Sequence, residues 1–241
     1  MLGLKARFGD DDVLEIGVDE AGRGSFWGPI MAGAVILPNE SDWSDVQKAL
    51  LIQLRDSKKI SPKKREKLSE QIKLLIPSHS IGIVSAEEIN EKGIQWANKE
   101  AFRRAVDLVL TSYSKEIKCR VIIDGVLMMD DWKGEQELII EGDNKYIAIA
   151  AASILAKVEH DQWIQRYCKE NPECDEKYDL VASKGYGTTR HREGIKQYGG
   201  HKLHRMVYIQ NWLPGTTRKP KLKTKEKSIN KNECMIQFNG I

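Results

Sequence analysis

The chain has little cysteine and no long hydrophobic run, and each absence excludes a class of protein. Its four cysteines, among 241 residues, are irregularly spaced and form no Cys-x-x-Cys pair. A zinc site is therefore not expected, and the thiols are predicted to be reduced. No apolar stretch approaches the roughly 20 residues of a membrane span, and residues 1–5 do not start the apolar core of a signal peptide. We therefore expect a cytoplasmic protein with no membrane contact.

A strong excess of one charge is also absent. The formal net charge is +3, but residues 218–241 hold seven Lys or Arg against two acids, and residues 1–217 hold 31 against 33. Two local patches are basic, residues 55–73 and residues 184–205. Such patches suit an enzyme that grips a phosphate backbone at a few points, although solvated helix faces are the alternative. We predict a catalytic domain over 1–217 and a basic, poorly ordered tail over 218–241.

Strand-like and helix-like patterns are mixed along the chain. Apolar runs predict strands at residues 13–18, 30–37, 80–84, 120–124 and 137–140. Helical periodicity and capping residues predict helices at residues 62–76, 94–110, 147–167 and 188–198, with a further helical segment after Gly200. Strands mixed with helices of these lengths indicate a domain of the α/β class.

Two adjacent acids, Asp19 and Glu20, follow the first predicted strand. Two carboxylates about 4 Å apart repel each other by roughly 4 kcal/mol at an effective dielectric constant of ~20. Because successive strand residues point to opposite faces, one acid should lie on or near the core side. A divalent cation is the commonest reason to keep such a pair, and the glycines at 22 and 24 let a ligand come close. The pattern indicates a metal site beside a phosphate or sugar, with a surface turn as the alternative.

Two further acids and one tyrosine occupy comparable positions. Asp124 ends an apolar strand, and ligands of open α/β sheets bind at that edge, although an Asp-Gly turn is equally compatible. Asp143 precedes the long helix at 147–167, where a helix-capping Asp is the alternative. Tyr186 lies between two glycines and could stack on a base or a sugar, unless it is a core tyrosine at a turn.

The glycine-rich stretch at residues 22–28 also allows a nucleotide-binding interpretation. Glycines let backbone N–H groups meet a pyrophosphate. Here, however, Asp19 and Glu20 come just before the loop and would repel that group. No Gly-Lys-Ser/Thr sequence follows it, which excludes a P-loop. We hold the dinucleotide-binding interpretation as the weaker one.

Taken in order, these segments resemble the ribonuclease HII family, the type 2 ribonucleases H. The matches span about residues 16 to 212, nearly the whole chain, and the first and the longest of them are very specific. A sister family, ribonuclease HIII, usually has threonine at the position of Arg23. The loop Ser25-Phe26-Trp27 is bulkier than usual for the family, and Ser183 replaces a more frequent asparagine. The matching segments are Gly17-Val18-Asp19-Glu20-Ala21-Gly22-Arg23-Gly24, Gly28-Pro29, Asp56-Ser57-Lys58-Lys59, Lys64-Arg65-Glu66, Asp124-Gly125, Gly142-Asp143, Ala150-Ala151-Ala152-Ser153-Ile154-Leu155-Ala156-Lys157-Val158, and Lys184-Gly185-Tyr186-Gly187-Thr188 with His191.

The resemblance implies a fold and a chemistry. The fold would be ribonuclease H-like, an α/β architecture with a central mixed β-sheet flanked by helices and with C-terminal helices. Two Mg²⁺ or Mn²⁺ ions would promote endonucleolytic hydrolysis of RNA in an RNA–DNA hybrid, leaving 5′-phosphate and 3′-hydroxyl ends. The residues that would bind these ions are Asp19, Glu20, Asp124 and Asp143.

The resemblance also implies a way to recognise ribose. The backbone of Gly22, Arg23 and Gly24 would contact a 2′-hydroxyl, and Tyr186 would contact it too and stack on the next deoxyribose. The enzyme would then cut at single ribonucleotides in duplex DNA, serving ribonucleotide excision in DNA repair and primer removal in DNA replication. Ser57 and Lys58 are the candidates for phosphate contacts, and we expect a monomer. Lys157 and Asp161, one helical turn apart, are expected to form a helix-face ion pair rather than a site.

Two alternative functions remain compatible with the sequence. One is another metal-dependent nuclease of the ribonuclease H-like superfamily, such as a resolvase or a transposase-like enzyme, which would cut DNA without ribonucleotides. The other is a non-catalytic protein that only binds hybrids, which would not need four acids.

Overall fold

The computed structural model of the chain describes residues 3–114 and 117–216, so the predicted tail at 218–241 lies outside the described residues. Within them a five-stranded sheet has the order β3-β2-β1-β4-β5. The first three strands pair antiparallel, and β1, β4 and β5 pair parallel. The predicted mixed sheet is therefore confirmed. The strands are β1 (Leu14–Ala21), β2 (Ile30–Val35), β3 (His79–Val84), β4 (Cys119–Asp124) and β5 (Glu135–Ile139).

Two helices begin at the serines that indicated a helix start in the sequence. Pro62 occupies the first turn of α2 after Ser61. Ser85 and Glu88 form a capping box at the start of α3. In the described ranges no helix has both the length and the apolar character needed to cross a membrane. The helices are α1 (Asp45–Leu51), α2 (Pro62–Leu75), α3 (Ala86–Lys92), α4 (Ile94–Val109), α5 (Ile147–Glu170), α6 (Pro172–Tyr178), α7 (Leu180–Ser183), α8 (Thr189–Tyr198) and α9 (Met206–Ile209).

The sheet is covered on both faces. On one face, residues such as Ile16 and Val18 pack with Phe102 of α4 in one buried cluster. On the other face, α5 packs with the helices α1 and α2 in a second cluster that includes Val35 and Ile154. The alternation of side chains along β1 thus assigns its residues in turn to α4 and to α5.

The helix α5 approaches the sheet closely because glycine lies beneath it. A Cβ added to Gly17 would collide with the backbone of Ala148, and one added to Gly33 would collide with the carbonyl of Ala152. Alanines on α5 and glycines on the strands therefore bring helix and sheet backbones together. This contact fixes where the first turns of α5 stand relative to β1.

A third cluster holds the C-terminal helices to the sheet. Trp27, in the loop between β1 and β2, is fully buried there with Ile164 of α5 and Ile195 of α8. Its ring stacks on His201 with the ring centroids 4.7 Å apart. The loop that follows the acid pair is therefore built into the C-terminal part of the domain.

Several predicted boundaries differ from the observed ones. The strand β2 ends at Val35 rather than at residue 37, and α5 continues to Glu170 rather than to residue 167. The strand β1 continues to Ala21, because it pairs with β2 as far as Met31. The strand β5 begins earlier, at Glu135, which pairs with Arg120 of β4 although its polar side chain broke the apolar pattern. The helix expected after Gly200 is only the short α9. Residues 201–205 form a loop, because backbone hydrogen bonds join Leu203 to Gly28 and Arg205 to Phe26.

We expect Gly33→Ala to destabilise the fold. The added methyl group meets backbone atoms of α5 that cannot rotate away, so the free energy of unfolding should fall by about 1–3 kcal/mol. Urea denaturation measures the change. The matched control is Gly3→Ala, where nothing lies within 4 Å of the added atom, and its change should stay within about 0.5 kcal/mol. Equal stability of the two variants would contradict the close packing.

Candidate active site

The last residues of β1 send their two carboxylates to opposite faces of the sheet. Asp19 is 6% exposed and faces α5, where the Ser153 hydroxyl favours its charged form. Glu20 faces α4. The wholly buried Asn98 of that helix works to lower the pKa of Glu20, although the two side chains do not form a hydrogen bond of ordinary length. The expectation that one acid of the pair lies on the core side is confirmed, and that acid is Asp19.

Parallel pairing brings Asp124 beside Asp19. Val18 lies opposite Ile123 in the register of β1 and β4. Each strand carries its acid one residue further on, at the same edge of the sheet. Asp124 Oδ1 accepts a hydrogen bond of 2.7 Å from the backbone N–H of Gly142. This bond ties the end of β4 to the turn that enters α5.

Asp143 lies in that turn, the 3-10 segment Gly142–Asn144. Its side chain is buried and accepts a 3.0 Å hydrogen bond from the Asn144 amide. Asp124 acts on the pKa of Asp143, which shows that the two carboxylates are neighbours. The structure therefore brings together the four acids that the sequence singled out. They come from two strand ends and one turn.

The acids raise one another's pKa values. Burial raises the pKa of Asp19 well above its usual range, and the charges of Glu20 and Asp124 raise it further. Burial, then Asp124 and Asp56, raise the pKa of Asp143 to about 6. Burial also raises the pKa of Asp124. The cluster carries more negative charge than its surroundings neutralise, and such perturbed groups concentrate at functional sites.

Two cations in the described part of the chain act on this cluster. Arg23 works to lower the pKa of Glu20, and Lys58 faces several of the acids. Burial works to lower the pKa of Lys58, but the charges of Asp19 and Asp143, and of other acids of the cluster, raise it above its usual value. Lys58 is exposed at the end of the 3-10 turn Ser57–Lys59. It is therefore placed to meet an anion that approaches the acids.

The structure adds a fifth acid, Asp56. Its Oδ1 accepts a 2.9 Å hydrogen bond from the backbone N–H of Lys58 and caps the 3-10 turn. Its charge raises the pKa values of Asp124 and Asp143, so it borders the cluster. Sequence reasoning named it only as part of a matching segment. Its capping position next to Lys58 was the pattern that could have pointed to it.

The donor set of the cluster fits divalent metal ions. Carboxylate oxygens are the ligands that Mg²⁺ and Mn²⁺ prefer. Among residues 3–114 and 117–216, no three His, Cys, Asp or Glu side chains already stand in the arrangement of a metal-coordinating group. Burial, and after it the neighbouring carboxylates, hold the pKa values of Asp19 and Asp143 above their usual range. A divalent cation would supply the missing positive charge, so these residues suit the ions that the resemblance implies.

Tyr186 and the glycine loop lie against each other beside the acids. Ser25 and Tyr186 form an isolated antiparallel bridge. The open side of Gly24 faces the Tyr186 ring, 3.9 Å from where a Cβ would stand. Burial raises the pKa of the Tyr186 phenol, while the Gly22 backbone acts to lower it. The sequence-predicted ribose contacts, which are residues 22–24 and Tyr186, are therefore neighbours in space.

The pair on the face of α5 is confirmed and also borders Tyr186. Lys157 Nζ lies 2.8 Å from Asp161 Oδ1, as the spacing predicted. The same ammonium group lies 5.2 Å from the centroid of the Tyr186 ring, within the range of a cation–π contact. Lys157 thus helps to hold the ring on the side of α5.

Ser57 differs in position from Lys58. Its side chain is 3% exposed, and its hydroxyl accepts a 3.0 Å hydrogen bond from Ser153. Its carbonyl accepts a 2.9 Å hydrogen bond from Arg65. Ser57 therefore lies beneath the surface that a phosphate would approach, and Lys58 lies on it. The phosphate contact predicted for Ser57 stays a prediction.

Comparison with known proteins decides the family. The family model described as Ribonuclease HII matches residues 16–211. The chain belongs to the ribonuclease HII family. It is 40% identical over 199 residues to the Ribonuclease HII of Caldanaerobacter subterraneus subsp. tengcongensis, over 83% of this chain and 75% of that protein. As a ribonuclease HII family member, the chain is a metal-dependent endoribonuclease.

Solved structures confirm the ribonuclease H-like fold. The ribonuclease H2 from Pyrococcus horikoshii OT3 aligns with a TM-score of 0.62 at 23% identity, covering 83% of this chain and 97% of that one. Bst-RNase HIII, crystallised in complex with Mn²⁺, aligns with a TM-score of 0.64 at 16% identity, covering 83% and 69%. Family membership decides against the dinucleotide-binding interpretation of the glycine loop.

We expect Asp19→Asn to stabilise the metal-free protein. The pKa of this acid is raised on folding, so its ionised form costs stability once the pH exceeds the folded pKa. Removing the charge should raise the free energy of unfolding at mildly alkaline pH by on the order of 1–2 kcal/mol. Chemical denaturation in a chelator measures this difference. The exposed Asp10→Asn is the control, and a stability of Asp19→Asn at or below that of the control would refute the repulsion argument.

Proposed function

We propose that this chain hydrolyses the RNA strand of RNA–DNA hybrids and cuts on the 5′ side of single ribonucleotides in duplex DNA. The products would carry 5′-phosphate and 3′-hydroxyl ends. Membership of the ribonuclease HII family supports ribonuclease H activity. The observation that carries the finer proposal is the placement of four mutually repelling acids next to residues 22–24 and Tyr186.

We infer that Asp19, Glu20, Asp124 and Asp143 hold two Mg²⁺ or Mn²⁺ ions. Two such ions supply Lewis acidity on both sides of the scissile phosphate during an in-line displacement. Within the protein, two of the acids are already oriented by backbone hydrogen bonds. Asp19 Oδ1 accepts from the N–H of Glu20 at 2.7 Å, and Asp124 Oδ1 accepts from Gly142 at the same distance. We assign the oxygens of these oriented carboxylates as donors to the ions.

Lys58 is the residue we assign to a backbone phosphate of the substrate. The charges of the acids raise its pKa, and its side chain is exposed. A phosphate bound there would stand within reach of the carboxylates, and the ammonium would offset its charge. Ser57 would support this contact from below, since its hydroxyl bonds to Ser153 and Ser153 in turn favours the charged form of Asp19.

Recognition of ribose is assigned to Gly22, Arg23, Gly24 and Tyr186. A 2′-hydroxyl both donates and accepts hydrogen bonds, so backbone N–H groups and a phenol are suitable partners. The glycines leave the backbone uncovered, and the ring of Tyr186 borders the same space. Such a site distinguishes ribose from deoxyribose at one position. It supports roles in ribonucleotide excision and primer removal by a monomeric cytoplasmic enzyme.

Cleavage should require Asp124. We expect Asp124→Asn to lower the cleavage rate by on the order of 10³-fold or more, because an ion ligand is lost. The amide can still accept the Gly142 hydrogen bond, so the fold should persist. The assay uses a labelled DNA duplex with one ribonucleotide, incubated with Mg²⁺, with Mn²⁺ or with chelator. An all-DNA duplex is the substrate control, and Asp10→Asn is the protein control.

Three results would count against this assignment. Full activity of Asp124→Asn would remove that acid from the site. Cutting of the all-DNA duplex would favour the rival nuclease of the same superfamily. Binding of the hybrid without metal-dependent turnover by the unmodified chain would favour a non-catalytic binder.

Tyr186→Ala should slow the cleavage of single-ribonucleotide substrates more than the cleavage of other substrates. Loss of the ring and of the phenol removes a stacking surface and one polar contact, so kcat/KM on that duplex should fall by about 10–100-fold. On a long RNA–DNA hybrid, which offers many cleavage positions, the loss should be smaller. The control is Tyr198→Ala, whose side chain is half exposed at the end of α8. Unchanged cleavage of the single-ribonucleotide duplex would contradict the proposal that Tyr186 senses ribose.

A further inference from the structure

Arg205 is a fully buried cation that has no carboxylate partner among residues 3–114 and 117–216. Its exposure is 0%, and its guanidinium donates only to backbone carbonyls. Burial lowers its pKa to about 10, and the phenols of Tyr208 and Tyr186 act to raise it. The group is therefore still charged at neutral pH. Burying a charge without an opposite charge is costly. We therefore ask what the hydrogen bonds of this guanidinium hold in place.

The guanidinium bonds to the loop that carries the predicted ribose contacts. Nη1 donates to the carbonyls of Gly22 at 2.6 Å and Arg23 at 3.0 Å, and Nε donates to the carbonyl of Gly28 at 2.9 Å. The donors of arginine lie in one rigid plane. Three loop carbonyls are thereby held in fixed directions by one side chain.

These bonds also decide where the loop N–H groups point. In a trans peptide the C=O and the following N–H are coplanar and point in opposite directions. The carbonyl of Gly22 shares its peptide with the N–H of Arg23, and that of Arg23 shares its peptide with the N–H of Gly24. Because Arg205 draws both carbonyls inward, it turns both N–H groups away from the buried side.

Tyr208 and Asn90 reinforce this arrangement. The Tyr208 hydroxyl donates to the Arg23 carbonyl at 2.9 Å, and its ring stacks on Phe26 with centroids 5.7 Å apart. Asn90 of α3 donates to the His204 carbonyl at 2.9 Å and accepts from the N–H of Met206 at 2.7 Å. The segment that carries Arg205 is therefore itself held from both sides.

A pair of buried histidines connects the same segment to Tyr186. His191 Nδ1 lies 3.0 Å from the Tyr186 carbonyl, which can only accept, so Nδ1 carries the proton. His191 Nε2 then accepts from His204 Nε2 at 3.0 Å, and His204 Nδ1 accepts from the N–H of His201 at 2.8 Å. Burial first of all lowers the pKa values of His191 and His204 to about 4 and about 3. Both rings are neutral near pH 7, so this chain of hydrogen bonds keeps one direction.

We propose that residues 204–208 form the positioning element of the ribose-sensing site. Arg205 directs the N–H groups of Arg23 and Gly24 toward the substrate, with Tyr208 in support, and His204 holds the backbone of Tyr186 through His191. These are positioning residues, since they act through the loop and the tyrosine. The inference rests on the proposed role of residues 22–24 and Tyr186 in contacting a 2′-hydroxyl.

The test measures binding rather than cleavage. Fluorescence anisotropy in chelator gives the Kd for a DNA duplex with one ribonucleotide and for the same duplex without it. The Kd for the all-DNA duplex divided by the Kd for the ribonucleotide-containing duplex reports ribose recognition. The unmodified chain is compared with Arg205→Lys, which keeps the charge but loses the planar fork, and with Tyr208→Phe, which loses one hydroxyl. Tyr113→Phe is the matched control, because its hydroxyl bonds to Ser78 at 2.8 Å and it packs with the cluster on the α4 face of the sheet.

We expect Tyr208→Phe to lower the ratio by about fivefold, which is the effect of losing one hydrogen bond. We expect Arg205→Lys to bring the ratio close to one. The Kd for the all-DNA duplex should change less than about twofold in both variants, which a general loss of structure would not allow. Tyr113→Phe should keep the ratio of the unmodified chain. If Arg205→Lys does not fold, as judged by circular dichroism, Tyr208→Phe decides alone.

The outcomes separate this inference from the function it rests on. If the unmodified chain prefers the ribonucleotide and the folded variants keep that preference, the positioning role is wrong and the proposed function stands. If the unmodified chain shows no preference, ribose sensing by residues 22–24 fails, and the positioning role is overturned with it.

Discussion

The parallel pairing of β1 with β4 is the constraint on which the candidate site depends. Parallel strands end at the same edge of a sheet, and the register that places Val18 opposite Ile123 puts Asp19 and Asp124 side by side. The close contact of α5 with Gly17 and Gly33 then fixes the turn before that helix, which carries Asp143. A shift of one residue in this register would place Asp19 and Asp124 on opposite faces of the sheet.

The cost of this placement is visible in the electrostatics. Burial and mutual repulsion raise the pKa values of Asp19, Asp124 and Asp143 together, and the nearby Lys58 offsets the negative charge only in part. A fold that needed only stability would replace these groups by neutral ones. The arrangement is consistent with a site whose charge is completed by metal ions, as in the metal-dependent family to which the chain belongs.

The C-terminal helices contribute more than a cover for the sheet. Through Trp27 they share a buried cluster with the loop that follows the acid pair. Arg205 bonds to the carbonyls of that loop, and His191 bonds to the backbone of Tyr186. The acids come from the sheet, whereas the loop conformation and the tyrosine depend on the C-terminal layer. The candidate metal ligands and the proposed ribose contacts thus depend on two different parts of the fold.

Much of this was readable in the sequence because it depends on local order. Apolar runs predicted the strands, helical periodicity and capping residues predicted the four longest of the described helices, and the run of matching segments indicated the family and four candidate acids. Polar edge residues such as Glu135 hid the start of β5, since that strand is held by pairing with β4 rather than by its own pattern. The loop at 201–205 was mistaken for helix, because its backbone bonds to residues 26–28, far away in sequence.

The sequence by itself determined the family and the fold class and pointed to four candidate acids, because these depend on residue types in a fixed order. Only the tertiary structure decided that Asp19 and Glu20 face opposite helices, that Asp56 joins the cluster and that Ser57 lies beneath it. It also decided that Arg205 serves a loop about 180 residues earlier in the chain. Burial, mutual repulsion and the direction of a hydrogen bond arise between distant segments, and no local pattern contains them.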